Sequence, residues 1–326
     1  MFQMIPSPAL DPSAALLKLI GHIEGAYSPS SIRAYRSEML EFIRFCEHHR
    51  FNALPASPDA VSQFLLEQLG RGLKFTSLRR KASSISAVHR LSNLPDPTQD
   101  AEVRIALRKI KRTVGMRLKQ AYPINQDLLY RLLDVTTDNL RGLRDKALLL
   151  LAYDTLRRRG ELVSLRIEDI EFLDDQGASV LLRKSKTDQY GAGQWIHLSI
   201  PTTRAVEDWI SAAGLRSGFI LRSIRSRDNV LESMSESRVN RTLKRLARMA
   251  QLTPTQIRQI SGHSTRVGAA QDLLIAGASL PQIMVKGGWS KTDTVIRYIE
   301  RVNPSLLASV DPRALIQAGP RRSFPS

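Results

Sequence analysis

The sequence predicts a mainly α-helical protein with two domains, a helical bundle followed by a mixed α/β domain that is mostly α with a small antiparallel sheet. Three observations lead to this prediction. The chain has 326 residues, a length typical of about two domains. No strand pattern occurs before residue 120, where apolar residues recur at helical spacing. Beyond it, only residues 178–183 and 194–200 have a strand pattern, and Gly191 and Gly193 between them favour a hairpin.

The helical bundle is predicted over residues 14–115. Residues 1–14 contain three prolines and are expected to form a loose leader. Ser28 followed by Pro29 is the signal of an N-cap with proline at the first helical position. Apolar residues then recur at steps of three and four, as on one face of a helix: Ile32, Tyr35, Met39, Phe42 and Cys46. Further helices are expected to begin near residues 58, 75 and 100.

A linker is predicted over residues 116–123 and a second domain over 124–326. Its helices are expected at about 125–135, 143–154, 201–209 and 235–250. Two capping boxes are predicted nearer the carboxyl end, each starting a helix. They pair Ser279 with Gln282, and Ser290 with Asp293, the second helix starting at about Lys291 and ending at Pro304.

The helix predicted over 235–250 has an apolar face and a basic face. The apolar face holds Val239, Leu243, Leu246 and Ala250, and the basic face holds Arg238, Arg241, Arg245 and Arg248. Such a helix can dock on a core while presenting guanidinium groups to phosphates or to a major groove. A solvated basic surface is the alternative interpretation.

The net charge indicates a polyanionic partner. Lys and Arg total 48 and Asp and Glu total 31, a formal charge of +17. Residues 1–118 carry 17 basic and 10 acidic side chains and residues 119–326 carry 31 and 21, which gives +7 and +10. Nucleic acid is the first candidate and an anionic membrane surface the second; a merely solvated basic surface is the alternative. An excess on both parts favours a protein that grips a long polyanion from two sides.

Several other kinds of site are not expected. No apolar run reaches the about 18 residues of a membrane span, and the amino terminus lacks a secretory pattern. The single cysteine excludes an internal disulfide. Cys46, His48 and His49 would point in different directions on a helix, so no metal site is predicted there. No ATPase-type phosphate loop is present, and no cofactor is expected.

Four short segments carry the residues that suggest chemistry. They are 156–162 (LRRRGEL), 184–187 (KSKT), 262–266 (GHSTR) and 287–289 (GGW), the last followed by Tyr298. Each segment alone is a weak signal, because a lone tyrosine more often packs in a core and three arginines can form a solvated turn. Their joint occurrence in this order, on a strongly basic chain, makes the set informative.

The ordered set resembles the tyrosine recombinase family. The runs AYDTL at 152–156 and SGHSTRVGAA at 261–270 share that resemblance, which covers roughly residues 28–305. The 32-residue step from Arg266 to Tyr298 makes the signal strong.

This sequence departs from the common family pattern at three positions near the set. Thr265 and Val267 stand where many members have Leu and His, and Trp289 stands where His is common. All three departures follow one branch of the family. Residues 311–326 have no confident counterpart, and their role stays open.

The resemblance implies metal- and ATP-independent DNA strand transfer. Tyr298 would be the nucleophile, forming a 3′-phosphotyrosine and freeing a 5′-hydroxyl. Arg158 and Arg266 would clamp the non-bridging oxygens, on which negative charge grows in the transition state. His263 would donate a hydrogen bond to the phosphate and assist proton transfer, and Lys186 would be the general acid.

Two further residues complete the implied catalytic set. Trp289 would donate through its indole N–H. Glu161 would orient the site, and its position three residues after Arg158 selects that arginine over Arg157 and Arg159. Those two neighbours are left open as phosphate contacts.

The resemblance also implies a SAM-like, core-binding first domain and a second, catalytic domain with a terminal docking segment. That segment, apolar at Leu306, Leu307 and Val310, would dock on a neighbouring protomer, with self-packing as the alternative. The DNA-reading residues that the resemblance implies are Arg33, Arg80 and Arg238, and we add Arg241 from the basic face.

The predicted function is site-specific recombination of double-stranded DNA by a homotetramer at paired inverted repeats. The reaction would pass through a Holliday junction, as integration, excision or resolution. Cytoplasmic location, with association to the nucleoid through DNA and no membrane partner, is expected. The alternatives are a type IB topoisomerase-like nicking-closing enzyme and a DNA-binding regulator with a decayed site.

Overall fold

The structure is a computed structural model that describes residues 11–115, 120–173, 176–185 and 192–300. The chain divides into two units, residues 1–118 and 119–326. Helices dominate the described residues, and one three-stranded antiparallel sheet accompanies them. The mainly α fold class with a small sheet is therefore confirmed. The predicted domain and linker limits remain predictions.

Five helices pack around one apolar core in the first unit. They are α1 (Pro12–Ile23), α2 (Pro29–His49), α3 (Pro58–Gly70), α4 (Phe75–Leu91) and α5 (Ala101–Val114). The predicted cap of α2 is present, because Ser28 Oγ accepts a hydrogen bond from the Ser31 N–H at 3.2 Å. Met39, Phe42 and Cys46 of the predicted apolar face are buried.

Helix α1 is absent from the sequence prediction. It begins at Pro12, with Asp11 as N-cap accepting from the Ser13 N–H at 2.9 Å. Residues 12–14 are therefore helical and do not belong to a leader. The signal is the same polar N-cap and first-turn proline that mark α2. Two further prolines upstream obscured it.

The second unit contains nine helices and three strands within its described residues. They are α6 (Gln126–Asp134), α7 (Leu140–Asp154), α8 (Arg159–Ser164), β1 (Ile170–Leu173), β2 (Gly177–Leu182), β3 (Gln194–Leu198), α9 (Ile200–Ala212), α10 (Glu236–Met249), α11 (Pro254–Gln259), α12 (Ser264–Ile275), α13 (Leu280–Gly287) and α14 (Thr292–Ile299).

The predicted hairpin of β2 and β3 is confirmed. The two strands pair antiparallel with Val180 opposite Ile196, and β1 adds on the other side of β2. In β2 the side chains of Ala178, Val180 and Leu182 alternate into the core. Strand β1 was not predicted, because three of its four residues are exposed and show no alternation.

The segment before α6 lies along the start of α12. The Ile124 N–H donates to the Ser264 carbonyl at 2.9 Å, and the Tyr122 N–H donates to the Gln259 carbonyl at 3.1 Å. Gly268 permits this approach, since a Cβ there would lie 1.9 Å from the Ile124 carbonyl oxygen. Residues 120–123 of the predicted linker thus run along the second unit, and residues 116–119 lie outside the described residues.

One predicted capping box is confirmed and the other is wrong. Gln282 Oε1 accepts from the N–H and the hydroxyl of Ser279, both at 2.8 Å. Helix α14 instead begins at Thr292, with the extended residue Lys291 at its N-cap and no side-chain cap. The helix therefore starts one residue too late for Ser290 to serve as the cap.

No helix in the described part of the chain has both the length and the apolar content of a membrane span. The predicted docking segment with Leu306, Leu307 and Val310 lies outside the described residues.

We predict that Gly268→Ala destabilises the second unit by about 1–3 kcal/mol, because the new methyl group must push α12 away from residue 124. Gly21→Ala in α1 is the control, since nothing lies within 4 Å of its Cβ position. That change should be neutral or stabilise by about 0.5–1 kcal/mol. Denaturant unfolding followed by far-UV circular dichroism measures both. Equal effects would contradict the close packing at Gly268.

Candidate active site

The elements that carry the predicted catalytic residues meet around a small apolar cluster of the second unit. The residues that form this cluster lie in the turn after α7, in α12, in α13, directly after α13, and in α14. Tyr298 is partly buried against the cluster. These elements are far apart in sequence, so their shared apolar contacts bring the site together. The buried members are Leu156, Ala269, Ala270, Ile283, Trp289 and Val295.

Arg266 is the most deeply buried charged group of the site, with 1% of its surface exposed. Its guanidinium donates to the Leu156 carbonyl, and to the Gly287 carbonyl at 3.2 Å. The indole of Trp289 covers it, with Cζ 4.4 Å from the ring centroid. The buried Nε–H finds no acceptor among the described residues.

Burial lowers the pKa of Arg266 to about 10, and the positive charge of Arg158 acts in the same direction. The phenol of Tyr298 and the carboxylate of Glu161 oppose the shift. At neutral pH the guanidinium therefore keeps its charge in a largely dry position. A charge held in this way interacts more strongly with an anion than one in water.

The two residues whose carbonyls accept hydrogen bonds from Arg266, Leu156 and Gly287, both have unusual local features. Leu156 has φ of +52°, a left-handed conformation that costs about 1–3 kcal/mol in a residue with a side chain. A Cβ on Gly287 would lie 1.9 Å from the Trp289 ring. The strained turn and the missing side chain are both required for the guanidinium to fit beneath the indole.

Arg158 is held by Glu161 at the start of α8. Its Nη1 donates to Glu161 Oε1 at 2.7 Å, and its backbone N–H donates to Oε2 at 3.0 Å. The arginine side chain is 27% exposed and the glutamate 7%. The buried carboxylate thus fixes a guanidinium that still reaches solvent. The orienting role of Glu161 in catalysis stays a prediction.

A glycine turn leads into α12 before His263. The Gly262 N–H donates to Asn240 Oδ1 at 2.6 Å, which ties the turn to α10. A Cβ on Gly262 would lie 2.0 Å from the Arg159 side chain, so a larger residue would displace that arginine. His263 follows as the N-cap of α12 and its side chain is exposed.

The pKa of His263 is lowered by desolvation first, and then by the positive charges of Arg266, Arg159 and Arg158. The imidazole is therefore neutral at pH 7. A neutral ring has one N–H donor and one acceptor nitrogen. It can donate to a phosphate oxygen or accept a proton, which are the two tasks predicted for it.

Trp289 and Tyr298 lie side by side. Their ring centroids are 5.8 Å apart with an angle of 61° between the planes, an edge-to-face contact. The Tyr298 carbonyl accepts from Gln271 Nε2 at 2.9 Å and from Gln120 Nε2 at 3.1 Å. The tyrosine is thus held through both its ring and its backbone.

The structure brings together six of the seven predicted catalytic residues. Arg158, Glu161, His263, Arg266, Trp289 and Tyr298 lie around one region of the second unit. Lys186 lies outside the described residues, so its place stays a prediction. Among the described residues, no group of three or more His, Cys, Asp or Glu side chains could hold a metal ion.

The two arginines predicted to read DNA in the first unit are exposed. Arg33 lies on α2. Arg80 lies on α4, and its Nε pairs with Glu38, a buried residue of α2 that also accepts from Ser84 Oγ at 2.6 Å. The guanidinium of Arg80 is thus held by a buried carboxylate while the side chain stays 67% exposed.

Helix α10 has the predicted apolar face, since Val239, Leu243 and Leu246 are buried. Arg241 is exposed and its Nη2 donates to Ser237 Oγ at 3.2 Å. Arg238 is half-buried. Both lie on the side that the sequence marked as basic.

One arginine of the predicted basic face has an internal partner. Arg245 pairs with the buried carboxylate of Asp145 on α7, so it is not a freely presented phosphate contact. Asp145 also binds Arg144 at 2.7 Å, and Arg144 donates to the Arg222 carbonyl at 3.1 Å.

Sequence reasoning missed three kinds of supporting residue. Gln120 and Gln271 hold the Tyr298 backbone, Asp145 fixes α10 on α7, and Arg157 is a buried link. Their partners are distant in sequence, so no local pattern marks them. Only for Arg157 did a signal exist, its place beside Arg158.

Comparison with known proteins identifies the family. A model described as "Phage integrase family" matches residues 123–303, and one for the "Phage integrase, N-terminal SAM-like domain" matches residues 22–92. The first match covers more than half of the chain. The chain therefore belongs to the phage integrase family, and its enzyme class is tyrosine recombinase. The resemblance found in the sequence is confirmed.

Among similar proteins, the recombinase Cre of Escherichia phage P1 is 29% identical over 303 residues, which cover 87% of this chain and 88% of Cre. A structure of XerH recombinase bound to palindromic difH substrate, in a post-cleavage complex, aligns with a TM-score of 0.63 at 15% identity over 91% of this chain and 84% of that one. A lambda integrase tetramer bound to a Holliday junction aligns with a TM-score of 0.56 at 16% identity over 87% and 76%. The two structures support the fold.

We predict that His263 titrates below its ordinary value of about 6.5 in the DNA-free protein. The folded state then binds this proton more weakly than the unfolded state. The contribution to folding is complete above about pH 6.5 and is lost as the pH falls below it. NMR titration of the ring, assigned with His263→Asn, measures the midpoint. A midpoint at or above about 6.5 would contradict the cationic surroundings.

We also predict that Asp145→Asn destabilises the second unit by about 3–5 kcal/mol, because it leaves the buried Arg144 without its anion. Glu236→Gln is the matched control, since Glu236 is exposed and 3.9 Å from Arg159. It should cost no more than about 1 kcal/mol. Both values come from denaturant unfolding. Similar losses in the two variants would show that Asp145 has no special role.

Proposed function

We propose that the chain is a site-specific DNA recombinase that cleaves and rejoins double-stranded DNA through a 3′-phosphotyrosine at Tyr298. The observation that carries this proposal is the position of Tyr298 against Trp289, which itself covers the buried guanidinium of Arg266. That cation can stabilise the charge that develops on a phosphate under attack.

The proposed cleavage step conserves bonds and protons. The Tyr298 oxygen forms a bond to phosphorus while the bond from phosphorus to the 5′-oxygen breaks. The phenol proton passes to an acceptor such as the neutral ring of His263, and the leaving 5′-oxygen receives a proton from Lys186. Attack of a 5′-hydroxyl from another strand reverses the step and completes the exchange. The energy of the phosphodiester is kept in the covalent link, so no ATP is needed.

The proposed charge stabilisation comes from two arginines with different surroundings. Arg158 reaches solvent while Glu161 holds it, so it can meet an incoming phosphate directly. Arg266 is buried beneath Trp289, and no acceptor among the described residues takes its Nε–H. Trp289 can add one N–H donor. Preorganised donors of this kind are worth about 10²–10³-fold each in rate.

We propose that four such protomers act on two inverted-repeat sites and pass through a Holliday junction. The structural likeness to a tetramer with a Holliday junction supports this. Contacts to DNA are assigned to Arg33 and Arg80 of the first unit and to Arg238 and Arg241 of α10. Arg33, Arg80 and Arg241 are exposed. We also propose that the protein acts on DNA in the cytoplasm, at the nucleoid.

The test is covalent trapping on DNA. Bound fragments are selected from a randomised inverted-repeat library, and a nick is placed near the centre of the spacer. Wild type and Tyr298→Phe are incubated with this DNA in EDTA and separated on a denaturing gel. We expect a detergent-resistant adduct with wild type only, because phenylalanine lacks the attacking oxygen.

Three other results would redirect the proposal. DNA binding without an adduct in either protein would favour a regulator with a decayed site. An adduct that survives in Tyr298→Phe would mean that another residue is the nucleophile. Relaxation of supercoiled DNA without strand exchange between two selected sites would favour a topoisomerase-like enzyme.

A further inference from the structure

Arg157 is a buried arginine next to the predicted phosphate clamp, and 3% of its surface is exposed. Its Nη1 donates to Gln194 Oε1 at 3.1 Å, and its Nη2 donates to the Lys286 carbonyl at 2.9 Å. Gln194 is the first residue of β3, and Lys286 lies at the end of α13. One guanidinium therefore joins the turn before α8 to two segments that are distant in sequence.

The segment after Lys286 is shaped around this guanidinium. Gly288 has φ of +63°, a conformation that favours glycine. A Cβ there would lie 2.5 Å from Arg157 Nη1. Trp289 follows directly, and its indole covers Arg266. Arg157 thus contacts the segment that places the indole of Trp289 over the guanidinium of Arg266.

The chemistry of arginine suits this link. A planar guanidinium offers donors in a fixed fork and can reach two acceptors at once. Lysine offers one flexible ammonium group, and an apolar side chain offers no donor. Burial lowers the pKa of Arg157, which Glu161 opposes. Both of its Nη groups already donate to acceptors within the protein.

We propose that Arg157 is a positioning residue for DNA cleavage: its guanidinium holds residues 286–288, and with them Trp289, against the start of β3 and does not itself bind the scissile phosphate. This inference rests on the proposed function and deepens it. The proposal replaces the alternative, left open in the sequence analysis, that Arg157 contacts a phosphate.

The first arm of the test observes the position of Trp289 without DNA. The protein contains three tryptophans, so labelling with 5-fluorotryptophan gives three ¹⁹F resonances. Trp209 is fully buried, with Nε1 donating to the Ile220 carbonyl at 2.7 Å, and serves as an internal control of folding. We expect Arg157→Leu to shift or broaden the Trp289 resonance and to leave that of Trp209 in place.

The second arm measures cleavage on the nicked DNA under single-turnover conditions. We expect Arg157→Leu to lose about 10²-fold in rate, because a misplacement of about 1 Å at a catalytic site costs that much. Arg157→Lys should recover part of the loss, since it can still reach one acceptor. Arg216→Leu is the control, because Arg216 is exposed and its substitution removes the same charge. It should cleave like wild type.

A neutral substrate separates positioning from phosphate binding. In a methylphosphonate linkage one non-bridging oxygen is replaced by methyl, so a residue that only neutralises that charge becomes dispensable. Arg158→Ala should regain activity on this DNA relative to the ordinary phosphate, and Arg157→Leu should not. Recovery of Arg157→Leu on methylphosphonate would overturn the proposal.

The remaining outcomes are also decisive. An unmoved Trp289 resonance together with wild-type cleavage in Arg157→Leu would overturn the positioning role. If the Trp209 resonance also shifts in Arg157→Leu, the same two measurements on Arg157→Lys decide the question. Wild-type behaviour of Arg157→Lys would overturn the need for a link to two acceptors. Absence of any adduct with wild type would reject the proposed function. The ¹⁹F result would then still decide whether Arg157 holds Trp289.

Discussion

The burial of the Arg266 guanidinium is the constraint on which the rest of the site depends. A charged group taken out of water must be hydrogen-bonded, or the folded state is strongly destabilised. The acceptors here are two backbone carbonyls, those of Leu156 and Gly287. Presenting the first requires a left-handed turn, and seating Trp289 beside the second requires a residue without a side chain. The turn after α7, α12 and the end of α13 are therefore fixed relative to one another by one cation.

That constraint explains how several arginines can lie close together without destabilising the site. Arg157, Arg158 and Arg266 lie close enough for their charges to influence one another, yet each has a different set of partners. Arg158 has the carboxylate of Glu161, and the other two have mainly neutral acceptors. Desolvation first, and then the positive charges of Arg266, Arg159 and Arg158, lower the pKa of His263, and the excess positive charge leaves the site ready for an anion. A phosphodiester supplies that anion, which gives the excess charge a function.

Arginines held by carboxylates, like Arg158 by Glu161, also occur on the surfaces proposed to contact DNA. Buried carboxylates reach outward to arginines: Glu38 holds Arg80 in the first unit, and Asp145 holds Arg245 on α10. The pairing restricts the rotamers of the exposed Arg80 side chain, so less conformational entropy is lost when Arg80 meets a base or a phosphate. For Arg245 the pairing with Asp145 instead takes up the charge. Counting basic residues along a helix overstates the free cations, because some of them are already paired with the core.

The sequence by itself determined the local elements and the identity of the chemical groups. Caps and first-turn prolines marked α2 and α3, and a strand pattern marked β2 and β3. The resemblance to the tyrosine recombinases grouped Arg158, His263, Arg266, Trp289 and Tyr298 as one set. Each of these signals lies within a few residues or follows a family pattern. Tertiary structure alone decided which carbonyls accept from Arg266, that Arg245 has an internal partner, and that Arg157 links β3 to the end of α13. Those contacts join residues from 21 to 129 positions apart. Hydrophobic periodicity places a side chain on a face of its own helix or strand, and only packing between elements determines what that face meets.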